Sequence, residues 1–143
     1  DHYKTVKTNS GKITKLMSTW QGRHFFRDGI PADYIDQTAD LSHYLTFADA
    51  YHQLMADLVD LCIVSLSLIL PAHDETRVIY VSGGFARNEL FVRLLAARLP
   101  KKKVFTSEVD NATALGAAMV VWKSAFEGEM PFTGLGLQAV LSD

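Results

Sequence analysis

The stretch Thr76–Ala118, TRVIYVSGGFARNELFVRLLAARLPKKKVFTSEVDNATALGAA, decides how the rest of the chain is read. Val78-Ile79-Tyr80-Val81 is β-branched and aromatic without alternation, which predicts a central strand buried on both faces. Gly83-Gly84 then turns the chain. Leu90, Phe91, Leu94, Leu95 and Leu99 keep a helical period that ends before Pro100. Lys103–Thr106 predicts a second strand, and Asp110 or Asn111 caps a last helix running to Phe126, closed by Gly128 and Pro131. This β-α-β-α order implies a parallel strand pair with a right-handed crossover, so the expected class is α/β.

Upstream of the strand, Thr46 precedes Phe47 as a helix cap, with Asp49 three residues on as a weak capping box. Phe47, Tyr51, Leu54, Met55, Leu58, Leu61, Cys62, Leu66 and Ile69 hold a helical period until Pro71 stops it. Leu58–Leu70 is apolar nearly all round, which predicts cover on more than one side. Residues 1–45 are less legible. Tyr3 and Val6 suit a short strand and Asn9-Ser10-Gly11 a turn, while Ile13, Leu16, Met17 and Trp20 fall on one helical face with Ser10 as a candidate cap. A hairpin over 3–20 is the rival. Asp28-Gly29-Ile30-Pro31 marks a turn, and 34–44 is mixed, a loop with a helical turn. Gly134-Leu135-Gly136 opens an apolar tail of no evident form.

The chain has 143 residues, 48% of them hydrophobic, enough to pack a core. Fourteen basic residues against sixteen acidic ones leave a net charge of −2, without the basic face a nucleic-acid binder needs. The longest apolar run, Leu58–Leu70, is broken by Asp60, Ser65 and Ser67, so no membrane span is expected. The one cysteine, Cys62, lies in that run and reads as a buried small hydrophobe, and its use suits a reducing, cytoplasmic compartment. Asp1 is preceded by no methionine, and neither a cationic leader nor an apolar h-region follows. No signal peptide is therefore expected, and such a start suits a piece of a longer protein as well as a whole one.

Gly83-Gly84-Phe85-Ala86-Arg87-Asn88 is the main candidate site. Paired glycines after a strand let the backbone turn sharply and let a flat ligand approach with no Cβ between, and the helix start beyond offers free N–H groups. A tight turn with Asn88 as an ordinary cap is the alternative. The spacing is neither the GxGxxG dinucleotide fingerprint nor the GxSxG elbow. Ala112-Thr113-Ala114-Leu115-Gly116-Ala117-Ala118 sets six small residues around one leucine. Because Gly116 costs a helix roughly 1 kcal/mol relative to alanine, a close contact with another element or a ligand is expected there. The five histidines show no metal spacing, and structural or solvated roles are expected for all of them. Lys101-Lys102-Lys103 reads as a solvated turn. Asp57 and Asp60 are expected to mark the solvent side of the long helix or to pair with arginines. No catalytic or metal-ligating residue is assigned.

Together these motifs resemble the carboxy-terminal domain of the FGGY-family carbohydrate kinases. The resemblance is carried by Gly83-Gly84-x-x-x-Asn88, by Leu94-Leu95-Ala96, and by Glu108 ahead of Ala114-Leu115-Gly116-Ala117-Ala118. It covers 46–127 as core, is specific for 78–118, leaves 1–45 unassigned and makes 128–143 a tail of one 1–143 segment. It implies an actin-like, ribonuclease-H-like ATPase domain and ATP-dependent phosphorylation of a sugar hydroxyl. Gly83 and Gly84 would lie along adenine and ribose, with Asn88 hydrogen-bonding the nucleoside side and Phe85 counted with them as a cofactor-binding residue. Phe85 departs from the family, in which many members carry a third glycine. The Asp-x-Gly-Thr phosphate loop and the catalytic aspartate of the family's other regions have no counterpart here. ATP and a sugar are therefore the implied partners of a complete enzyme, with Mg2+ held elsewhere. The chain by itself is expected to be inactive and to self-associate through exposed apolar surface. Another actin-like ATPase or sensor domain, or a non-catalytic assembly module, is the alternative.

Overall fold

The computed structural model describes residues 6–18, 25, 41–71, 73–126 and 134–141. Strand β1 (Val78–Val81) and strand β2 (Lys103–Thr106) run parallel, with Val78 opposite Lys103 and Val81 opposite Thr106. Between them come a 3-10 turn (Gly84–Arg87) and helix α3 (Glu89–Arg98), which make the crossover. The ladder is extended by Lys103 N–H to Arg77 O at 2.8 Å and Ser107 N–H to Val81 O at 2.9 Å. A third strand, β3 (Gln138–Ala139), pairs antiparallel with the far side of β2, giving the order β1-β2-β3.

Two expectations change here. β2 is the middle strand and holds buried Val104, whereas β1 sits at the edge of the described sheet, with Tyr80 59% exposed. Tyr80 and Phe105 are register partners with ring centroids 5.9 Å apart. The lack of alternation in β1 therefore does not report burial on both faces. The apolar tail also acquires a form. Gly134 and Gly136 take φ of 98° and 53°, bending the chain so that Val140 N–H reaches Val104 O at 2.9 Å.

Helix α1 (Ser10–Ser18) and helix α2 (Phe47–Ile69) supply the other layer. Thr46 caps α2 as expected: its Oγ1 accepts from Asp49 N–H at 3.1 Å and donates to the Asp49 carboxylate at 2.6 Å. At α1 the cap is Asn9, whose Oδ1 accepts from Lys12 N–H at 3.0 Å, and Ser10 is already helical. Val6 lies outside any strand. Tyr3, Trp20 and all of 26–40 fall outside the described residues, and with them the turn expected at Asp28–Pro31. Ile13 from α1, Met55, Ala56 and Val59 from α2, and Leu90, Phe91, Val92, Leu94 and Leu95 from α3 form the core. Val59 and Leu94 are each 1% exposed, a burial worth roughly 1.5–3 kcal/mol per side chain. Cys62 packs half-buried against this core as a small hydrophobe, and burial pushes its thiol pKa up.

Polar groups on α2 tie elements together rather than facing water. His52 is buried; its Nδ1 lies 2.7 Å from Ala48 O, and its Nε2 accepts from Asn9 N–H at 3.4 Å. Asp57 is fully buried, accepting from Phe25 N–H at 2.6 Å and Gln53 Nε2 at 2.8 Å. Asp60 is buried against Arg98, so the expected pairing holds while the expected solvent side does not. The second half of α2 is more open than its composition suggested: Val64 is 54% and Leu68 83% exposed. With 23 residues and a mean hydropathy of 1.5, α2 is long and apolar enough to cross a membrane by length and composition alone, contrary to the sequence expectation. Its buried His52, Asp57 and Asp60, each bonded to another group, make it the core helix of this packing, since such residues are costly in hydrocarbon.

Helix α4 (Ala112–Ala125) has the expected span, with Asn111 at its N-cap. Its small-residue face is largely open among the described residues: Ala114, Ala117 and Ala118 are exposed, and a Cβ on Gly116 would find no atom within 4 Å. The contact expected to offset Gly116 is absent among the described residues.

Candidate functional site

The site is built at the turn from β1 into α3. Gly83 has φ 76° and ψ −156°, a conformation open essentially to glycine alone. Ala86 N–H donates to Gly83 O at 3.1 Å and Asn88 N–H to Phe85 O at 3.0 Å, closing the 3-10 turn. Gly84 is different. Its φ lies outside the left-handed region, and a Cβ there would meet nothing within 4 Å. The fold thus needs glycine at 83 and leaves open space above 84.

Asn88 ends the turn and starts α3, with Oδ1 accepting from Phe91 N–H at 3.1 Å. That bond fixes the amide, so Nδ2 faces α2, 2.9 Å from the Tyr51 hydroxyl and 3.4 Å from Met55 Sδ. The expected helix cap is therefore present, and it also joins α3 to α2. Phe85 is half exposed and lays its ring 4.5 Å from that of Phe91.

A cleft of about 840 Å³ opens beside this turn. Its walls are Val6 and Thr8 ahead of α1, Tyr51 of α2, and Gly84, Asn88 and Leu90 at the turn and α3; Lys7, Arg87 and Glu89 carry its charge. The volume lies in the range of small-molecule sites. The Arg87 guanidinium is paired with Asp110 just before α4, and Glu89 with Arg93 at 3.2 Å. Of the four residues expected to hold a ligand, Gly84 and Asn88 converge on this cleft. Gly83 shapes the turn from behind, and Phe85 turns toward Phe91.

Tyr51 and the Val6–Thr8 wall are the residues that motif reasoning missed. Tyr51 lies 37 positions from Asn88 and in sequence is one more apolar-face aromatic of α2, with Met55 one turn on. Among the described residues no three His, Cys, Asp or Glu side chains gather as a metal site.

The model of the C-terminal domain of the FGGY family of carbohydrate kinases matches residues 32–125. The chain belongs to that family. No curated protein and no solved structure matches it. The match begins upstream of Thr46, so 32–45, which the motifs left unassigned, are part of the family domain. It ends with the last residue of α4 and thus takes in the β1 turn, Asn88 and the small-residue helix. The chain is thus an FGGY carbohydrate kinase domain, a mixed α/β unit with one parallel strand pair and an open cleft at its glycine turn.

Proposed function

We propose that this chain is the adenosine-binding half-site of an ATP-dependent carbohydrate kinase that phosphorylates a sugar hydroxyl, built on an actin-like, ribonuclease-H-like core. The observation that carries the proposal is the space over Gly84. The backbone there has no conformational need for glycine, yet the residue borders a cleft of about 840 Å³ where a flat base could lie against the chain. Family membership supplies the ligand class, ATP and a sugar.

Phosphoryl transfer needs a base for the sugar hydroxyl and cations over the phosphates. Nothing in this chain is assigned either role. It binds and orients the nucleoside while the rest of a complete enzyme handles the phosphates, with Mg2+ there. The exposed apolar faces of α4 and of the end of α2 give the chain alone a surface for self-association.

Ligand-observed NMR of this chain with ATP tests the proposal. Weak binding with transfer to the adenine protons is expected, and no sugar-dependent ATP hydrolysis. Robust turnover by this chain, or no contact with the base, defeats the half-site assignment. In the complete kinase, Gly84→Val should raise KM for ATP far more than KM for the sugar. Equal effects would make the turn purely structural.

A further inference from the structure

We propose that the Tyr51 phenol is a nucleoside-recognition group of the cleft, donating its O–H to an acceptor on the bound base or ribose, and that Asn88 is the positioning residue behind it. The inference rests on the nucleotide-binding assignment above and deepens it. Family resemblance assigned the contact to Asn88 itself, but the Asn88 amide has no donor left to give a ligand. Oδ1 caps α3 through Phe91 N–H, and Nδ2 is turned onto the Tyr51 oxygen and Met55 Sδ. An amide carries two donors on nitrogen, and both have partners here.

The cap also settles direction. Because Oδ1 must face Phe91 N–H, it is Nδ2 that meets Tyr51 at 2.9 Å, and the phenol oxygen accepts. A phenol that accepts keeps its own proton to give. No acceptor among the described residues takes that proton, and Tyr51 lines the same cleft as Gly84. The ring is held by Phe47, with centroids 6.1 Å apart and planes 22° from parallel. The donor is thus anchored from two sides before any ligand arrives, which lowers the ordering cost of binding. A purine ring nitrogen or a ribose oxygen has the matching chemistry.

Titration of this chain with ATP, adenosine and ribose 5-phosphate, read by saturation-transfer NMR, separates the possibilities. Tyr51→Phe keeps the ring and removes only the hydroxyl, and should weaken ATP and adenosine binding roughly three- to tenfold. Loss with adenosine but not with ribose 5-phosphate places the acceptor on the base; loss with both places it on the ribose. Asn88→Asp keeps the cap but offers Tyr51 a carboxylate, drawing its proton away from the ligand. With adenosine, which carries no phosphate for the new charge to repel, it should weaken binding to the wild-type chain and leave a Tyr51→Phe chain unchanged, a coupling that loss of a structural bond alone would not produce. If the parent chain binds ATP and Tyr51→Phe binds it equally well, the role of Tyr51 is wrong and the half-site stands. If the parent chain does not bind ATP at all, the half-site assignment fails and this inference falls with it.

Discussion

Arg98 Nε donates to Asp60 Oδ1 across 2.9 Å, joining the last turn of α3 to the middle of α2, with side chains only 17% and 9% exposed. A charge pair so far from water contributes less than its Coulomb attraction suggests, because both ions lose hydration on folding. What it does well is punish mispairing: α3 cannot slide along α2 without leaving a buried carboxylate beside apolar neighbours. The cleft depends on that register, since Tyr51 and Asn88 sit on the same two helices.

Arg98→Ala should therefore destabilise the chain by about 3 kcal/mol, the scale of breaking one side of a buried pair. Urea unfolding at pH 7 checks it. A loss below about 0.5 kcal/mol, the scale of an exposed pair, would show that Asp60 is hydrated once the arginine is gone.

The two glycines of the turn should separate in their effects. Gly83 sits at φ 76°, so Gly83→Ala should cost roughly 1–3 kcal/mol by backbone strain alone. Gly84→Ala adds a methyl into open space at an unexceptional φ and should change stability by less than about 0.5 kcal/mol. Thermal unfolding of both variants is the measurement, and equal losses would contradict the backbone geometry.

That pair also shows where sequence is informative. The strand, turn and helix at 78–98 are legible because each boundary has a local cause: β-branched residues, Gly83, the Asn88 cap, and a stop before Pro100. Ile13 marks α1 in the same way. β3 was not legible, because two residues carry no periodicity and their pairing comes from the Val140 and Leu135 backbone bonds. The cleft was half legible. Gly84 and Asn88 announce themselves locally, whereas Tyr51 and Val6–Thr8 reach the site only through the packing of α1 and α2 around α3. The small residues of α4 promised a close neighbour that the described residues do not contain.

Acid should loosen the chain through two carboxylates. The Lys102 ammonium, then the Thr76 hydroxyl, hold the Asp74 carboxyl below its ordinary pKa, and Lys12, then Thr46, do the same for Asp49. A folded-state pKa below the unfolded value of about 3.9 means stability that is present above that pH and lost as pH falls through the folded pKa. Urea midpoints measured from pH 6 down to pH 3 should drop, and Asp74→Asn should flatten the lower part of that curve. Parallel curves for parent and variant would show that the Lys102–Asp74 pair contributes nothing on folding.

Gly136 governs whether β3 stays on the sheet. At φ 53° it lies where a Cβ would stand 2.7 Å from Glu108 Oε2 and 3.0 Å from Glu108 Cβ. The same Glu108 accepts from Gln138 Nε2 at 2.9 Å, and its N–H reaches Leu135 O at 3.3 Å. Gly136→Ala therefore adds a steric conflict to an unfavourable backbone angle, and Glu108 cannot yield without releasing Gln138. Hydrogen exchange should show the Val140 amide, bonded to Val104 O, losing protection about tenfold or more, which is roughly 1.4 kcal/mol of local stability. Amides of α3 should lose less protection, because Val140 only packs against the edge of a core held mainly by α2 and α3. Adding Glu108→Ala should recover part of the loss by removing the collision while the backbone strain remains. If Val140 protection is unchanged in Gly136→Ala, the clasp between the Gly134–Gly136 segment and Glu108 is not what holds β3 against β2.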